Sequence, residues 1–215
     1  MGFDLAAVDY VLNTTRSVRK RLDLARPVER DVVEACLQIA LQAPTGGNVQ
    51  GWRFVVVQDA AKRHRIGELY AQSFAIYRAE REPGMQRLKG AYGEQTRRVV
   101  DSAQYLADIM GQVPLMVIPC IYGRVETAVQ MDQAGLYGSI LPAAWSLMLA
   151  LRARGIGSSW TTLHLRYADE IAALLGIPEG VTQAALLPIA YFTGDTFQPA
   201  KRLPLQKVMF WDEWK

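Results

Sequence analysis

With 215 residues and a formal net charge of +3, the chain has room for one domain or two small ones. Half of its residues are apolar and 21% are charged, which excludes intrinsic disorder and allows a core without a disulfide or metal staple. A basic surplus this small permits an anionic ligand but does not demand nucleic acid.

The first helix is expected over residues 4–13, where apolar positions recur at loose helical spacing. A basic stretch, Arg16-Ser17-Val18-Arg19-Lys20-Arg21, follows and carries no apolar stripe. Pro27 suits the first turn of a second helix, whose buried stripe is Val32, Val33, Cys36, Leu37, Ala40 and Leu41. Pro44, Gly46 and Gly47 end it. Phe54 to Val57 reads as a buried strand. Helical spacing returns over 60–80 until Pro83-Gly84 breaks the chain, and a further helix is expected over 94–110.

Leu115 to Tyr122 is a second buried strand. Residues 132–154 form a long apolar helix that ends at Gly155-Ile156-Gly157. Its apolar run, Ile140 to Leu151, is too short to span a bilayer and predicts a core helix. A third strand is expected near Trp160 and Thr161, a short helix over Asp169 to Leu175, and a last strand over Ala184 to Phe192. Helices outnumber strands and no β-α-β alternation is evident. These elements predict an α+β fold in one domain, residues 1–215.

The tail, residues 193–215, is unusual. Pro199 and Pro204 forbid a continuous helix, yet it ends in Val208-Met209-Phe210-Trp211 and Trp214. Such an arm either wraps a partner subunit or docks on its own core.

Four segments could carry chemistry. Arg16 and Arg19 flank Ser17, and guanidinium forks with a hydroxyl match phosphate oxygens. A solvated basic turn is the plain alternative, and an RNA contact would want interleaved aromatics. The turn Ala43-Pro44-Thr45-Gly46-Gly47-Asn48-Val49-Gln50-Gly51-Trp52 concentrates polar groups beside glycines that let a ligand approach the backbone. Gly155-Ile156-Gly157-Ser158-Ser159-Trp160-Thr161-Thr162 is not a dinucleotide fingerprint, because Trp160 stands at the third glycine and the segment follows a helix. Lys201-Arg202 is a second cationic pair.

Other chemistries lack their residues. Cys36 and Cys120 have no C-x-x-C neighbour, which removes zinc and thioredoxin-like readings. His64 and His164 have no partners at metal-ligand spacing, and no G-x-S-x-G elbow is present. No signal peptide is evident, so a reducing cytoplasm is the expected location. An enzyme built this way would rely on a cofactor.

Taken together, Arg16-Ser17-Val18-Arg19, the Pro44 to Trp52 turn, the helix from Tyr137-Gly138-Ser139-Ile140 to Gly155-Ile156-Gly157, and Lys201-Arg202-Leu203-Pro204-Leu205 resemble the FMN-dependent nitroreductase and flavin reductase family. The resemblance implies a mainly antiparallel sheet flanked by helices. It also implies an intertwined homodimer whose 193–215 arm pairs with the partner's sheet, and FMN at the interface. Carried over, Arg16, Ser17 and Arg19 match the N-terminal flavin motif, and Lys201 and Arg202 match the C-terminal phosphate pair. Pro44, Thr45, Gly46 and Asn48 match the loop that packs on the ring, often from the other subunit. Ser139 falls at the flavin edge, and Trp160, Thr161 and Thr162 fall where backbone runs along the ring.

The resemblance implies ping-pong hydride transfer, from NADH or NADPH to a nitroaromatic, quinone or similar flat acceptor. No side chain is named as a catalytic base. Tyr70, Phe74 and Tyr77 share one helix face and serve either as core or as a lid over the acceptor slot. Thr15 and Gly51 stand where the family often has arginine and proline, and Trp160-Thr161-Thr162 stands where it commonly has an acid. These place the chain in a divergent branch. Reductive dehalogenation, flavin fragmentation and FMN binding without turnover are the alternatives. A nucleic-acid module built on Arg16 to Arg21 is a rival from another class, with neither nucleic acid nor membrane expected as a partner.

Overall fold

The computed structural model describes residues 2–214. Helix α1 (Leu5–Thr14) starts at Asp4, whose side chain accepts the Ala7 N–H at 3.0 Å. Helix α2 (Arg30–Ala40) follows and buries Val33, Cys36 and Ala40 along one stripe. Strand β1 (Trp52–Val57) leads to two long helices, α3 (Ala60–Gln86) and α4 (Gly90–Ile109). Then come β2 (Leu115–Tyr122), α5 (Gln130–Arg152), β3 (Ile156–Ser158), α6 (Ala168–Leu175), β4 (Val181–Gln183) and β5 (Leu187–Tyr191).

All strand pairs are antiparallel, as the α+β reading expects. β2 is central: β1 pairs along one edge, while β5 and β4 share the other. β3 extends the sheet beyond β5. β2 is buried on both faces, and its side chains alternate. Met116, Ile118 and Cys120 join Ile66, Leu69 and Phe74 of α3 and Leu106 of α4. Leu115 and Val117 join Cys36 of α2 with Leu147, Met148 and Leu151 of α5. The sheet is therefore a middle layer between two helix pairs. Burial pushes the Cys120 thiol up to about 12, so it behaves as an apolar side chain.

Three expectations are corrected. Pro83-Gly84 does not break α3, which runs on to Gln86. The residues around Pro83 are exposed, so water can satisfy the backbone group that proline leaves unpaired. The chain turns instead at Gly90, whose φ of +63° favours glycine.

The third strand lies at Ile156–Ser158 rather than at Trp160 and Thr161; Thr161 makes only a single bridge, to Leu186. The last strand is two: β4 pairs with one end of β2, β5 with the other, and Ala184 to Leu186 step between them.

α5 is also longer than its apolar run. By length and composition it is the one helix among the described residues that passes for a membrane span. Ile140, Ala143, Ala144, Leu147 and Leu151 are nevertheless buried in the fold, whereas Tyr137 and Trp145 are exposed.

Candidate functional site

The basic stretch runs along the sheet edge and then turns, with Leu22 N–H donating to the Arg19 carbonyl at 3.2 Å. Val18 N–H donates to the Ser158 carbonyl at 2.9 Å, and Leu22 bridges Phe192. Val18 and Leu22 are buried as anchors. Gly157 permits this approach: a Cβ there would stand 3.0 Å from the Val18 side chain. Gly157 thus serves packing of the Arg16 to Arg21 segment against β3, whereas Gly155, at a φ of +75°, serves the turn out of α5.

The start of the tail closes over this segment. Arg21 Nε donates to the Thr193 carbonyl at 2.5 Å and its Nη1 to the Thr196 carbonyl at 2.7 Å. The Arg21 guanidinium also lies 4.1 Å from the Phe197 ring centre. Arg16 Nη1 donates to the Gln198 carbonyl at 3.3 Å. The result is a cradle of about 300 Å³ lined by Arg16, Ser17, Arg19, Lys20, Arg21, Ser102, Phe197 and Gln198. Among the described residues, none of these cations has a carboxylate at ion-pair distance. Four unneutralised cations around two hydroxyls suit a phosphate.

Arg19 also lines a second cavity, of about 640 Å³, between α3, α4 and residues 159–163. Its Nη1 donates to Ser102 Oγ at 3.1 Å, and burial lowers its pKa. Tyr70, Phe74 and Tyr77 line the same cavity with Trp160, Thr161 and Thr162. Tyr70 and Phe74 are also buried in the core, as the core reading expects. Thr161 Oγ1 donates to Tyr70 Oη at 3.0 Å, while burial raises the tyrosine's pKa. Ser159 is fully buried and lines this cavity, and its hydroxyl has no hydrogen-bond partner among the described residues. That hydroxyl is closed off from the cavity, so it is an unsatisfied polar group behind the wall rather than a contact point for a ligand.

The remaining candidates lie elsewhere in the chain. Gly46 N–H donates to Ser139 Oγ at 3.0 Å, and that hydroxyl donates to the Gly135 carbonyl at 2.7 Å. Gln50 N–H donates to Thr45 Oγ1 at 3.2 Å and Gln50 Nε2 to Asn48 Oδ1 at 3.2 Å. Asn48 adopts a φ of +55°, which asparagine tolerates better than most residues. Pro44, Gly46 and Asn48 are exposed, and this loop lines neither cavity. Lys201 and Arg202 are exposed in the tail and line neither cavity either.

One chain therefore gathers Arg16, Ser17, Arg19, Trp160, Thr161 and Thr162 and leaves the loop, Ser139 and the tail pair apart. Sequence reasoning missed Ser102, Ser159, Phe197 and Gln198. Ser159 sits in the Gly155 to Thr162 segment, but nothing local marks its hydroxyl as unpaired.

The Nitroreductase family model matches residues 12–191. The chain belongs to the nitroreductase family. Its match to this family takes in both cavities up to the start of the tail. Among relatives, it is 28% identical to a NADH dehydrogenase of Thermus thermophilus, over 94% of this chain and 97% of that one. It is 27% identical to an iodotyrosine deiodinase of Danio rerio, over 93% of this chain but only 65% of that protein's length. Among solved structures, an iodotyrosine deiodinase bound to FMN and 3-iodo-L-tyrosine superposes with a TM-score of 0.70 at 19% identity, over 97% of this chain and 100% of that one. The FMN-dependent nitroreductase NfnB from Mycobacterium smegmatis, in complex with NADPH, gives 0.69 at 21%, over 98% and 100%. These structural likenesses show the nitroreductase fold.

Proposed function

We propose that this nitroreductase-family chain is an FMN-dependent oxidoreductase that uses NADH or NADPH to reduce a nitroaromatic, quinone or similar flat acceptor. The observation that carries this reading is the position of Arg19. Arg19 lines both the cationic cradle and the aromatic-walled cavity. A ligand with a phosphate at one end and a flat ring at the other needs that continuity.

The residues fit FMN. Arg16, Ser17, Lys20 and Arg21 would take the phosphate, whose charge near −2 asks for several donors. Arg19 would lie toward the ring, where its charge favours an anionic reduced form. Bound FMN would supply the hydride and electron chemistry. The chain's own groups would orient the ring, hold the anion and exclude water between α3 and α4. The deiodinase solved with FMN and the FMN-dependent NfnB solved with NADPH support the same cofactors.

The working unit in this reading is a homodimer. The loop carrying Pro44, Thr45, Gly46 and Asn48, braced on Ser139, would serve the partner's ring. Lys201 and Arg202 would join a cradle once the arm is docked on the partner. Exposed Leu203, Leu205, Trp211 and Trp214 in the arm support this, since Trp214 is 89% exposed and Trp211 77%. Buried free thiols at Cys36 and Cys120 accord with a reducing cytoplasm.

A second reading, reductive dehalogenation of an aromatic ring, is favoured by the deiodinase relatives that match over 93% of the chain. Titration of cofactor-free protein with FMN and riboflavin tests the shared part. FMN is expected to bind at least about tenfold more tightly, because only FMN reaches the cradle. Equal affinities overturn it. NAD(P)H oxidation with a nitroaromatic against a halophenol then separates the two acceptors.

A further inference from the structure

The larger cavity is graded from apolar floor to cationic mouth. Along α3, Tyr70, Phe74 and Arg78 stand four apart, as do Tyr77 and Arg81, so they form adjacent rows on one side of the helix. Tyr70 and Phe74 are buried, Tyr77 is half-buried and both arginines are exposed. α4 runs the same gradient the other way: Leu106 is buried, Val100 and Thr96 are half-buried, and Tyr92 is exposed.

The mouth arginines are positioned but not neutralised. Arg78 Nη1 donates to Gln104 Oε1 at 2.9 Å, and Gln104 Nε2 donates to Asp108 Oδ1 at 2.8 Å. Arg81 lies 4.7 Å from the Tyr77 ring centre. Among the described residues, neither has a carboxylate at ion-pair distance. The carboxylate that lines the cavity, Glu80, is paired with Arg166 at 3.3 Å.

The geometry points to an acceptor that is flat, aromatic and anionic. Its ring sits against Phe74, Tyr77 and Leu106, and its carboxylate lies at the mouth, held by Arg78 and Arg81. A guanidinium fork matches a carboxylate, and an apolar wall behind it strengthens the pairing. Arg78 and Arg81 are then specificity-determining residues that sort acceptors by charge. This rests on reading the cavity as the acceptor slot. The phosphates of a nicotinamide donor share the same anionic chemistry, so donor and acceptor must be read separately.

The test uses FMN-loaded protein with 4-nitrobenzoate and 4-nitrobenzyl alcohol, similar rings that differ in charge. The wild type is expected to show a KM about tenfold lower for the benzoate. The Arg78→Gln/Arg81→Gln double variant should lose that preference through KM, with kcat held. Arg78→Glu/Arg81→Glu should reverse it toward 4-nitrobenzylamine. Equal KM values in the wild type overturn the inference, as does a rise confined to the KM of NADH or NADPH.

Equilibrium dialysis of the same ligands reads the inference without turnover. Preferential benzoate binding that the double variant loses supports the anionic slot even where neither acceptor is reduced, in which case the oxidoreductase reading alone fails. Indifferent binding overturns the slot.

Discussion

Val18 crosses β3 at Gly157 so closely that a Cβ on residue 157 would stand 3.0 Å from both the Cβ and a methyl of Val18. Val18 N–H reaches the Ser158 carbonyl at 2.9 Å through the same approach. Arg16, Ser17 and Arg19 flank Val18, so this contact sets where the cradle stands relative to Trp160 and Thr161.

Gly157→Val should therefore push the basic segment off the sheet. A cost of about 1–3 kcal/mol is expected from overpacking at this buried site. FMN affinity should fall further than stability alone accounts for, and Gly157→Ala should lie between. Urea unfolding with and without FMN reads both effects. An unchanged FMN affinity in a folded Gly157→Val protein contradicts this placement.

Ser159 gives the opposite balance. Its buried hydroxyl has no partner among the described residues, a situation that costs roughly 1–3 kcal/mol. Ser159→Ala should stabilise the protein with and without FMN and leave FMN affinity unchanged, since the hydroxyl is closed off from the cavity. Thermal melting in the presence and absence of FMN is the measurement. A variant that loses stability in both states would show that the hydroxyl is satisfied by water instead.

His164 ties stability to acid. It is fully buried, neither ring nitrogen has a partner among the described residues, and burial lowers its pKa to about 3 from 6.5. The unfolded chain binds a proton below pH 6.5 that the folded chain refuses. This contribution is thus complete above that value and is lost as pH falls toward about 3. The loss at pH 5 is about 2 kcal/mol relative to neutral pH, at roughly 1.4 kcal/mol per unit. Urea midpoints of wild type and His164→Leu at both pH values should differ by that increment. Parallel pH dependence in the two proteins would contradict it.

The arm tests the dimer. Phe197 packs on Phe192 with ring centres 4.9 Å apart, so the tail is fixed to its own chain up to about that point. Beyond it Trp211 and Trp214 are exposed. Removing residues 203–215 is expected to convert a dimer to monomers in sedimentation velocity and to lower FMN affinity. A truncated chain that sediments as the full one does would place the interface elsewhere.

The sequence carried most of the fold because its apolar periods were strong, as in the Cys36 stripe and the Leu115 to Tyr122 run. It misplaced β3 because a strand of three residues, Ile156–Ser158, carries little signal beside a tryptophan. It missed the turn at Gly90 because Pro83 looked like the stronger stop, and exposure made that proline tolerable.

In the candidate site, the arginines were visible as residue types. Ser102 and Gln198 were not, because α4 and the tail reach Arg19 and Arg16 only in the folded chain. The loop at Asn48 and the pair at Lys201 were visible through resemblance, yet no single chain joins them to the cradle.

The most direct test of the account is anaerobic mixing of FMN-loaded protein with NADH and with NADPH, followed by the flavin absorbance. Full bleaching by at least one donor at a catalytic rate is expected, with recovery of colour when a nitroaromatic is added. A yellow protein that neither donor bleaches would contradict it.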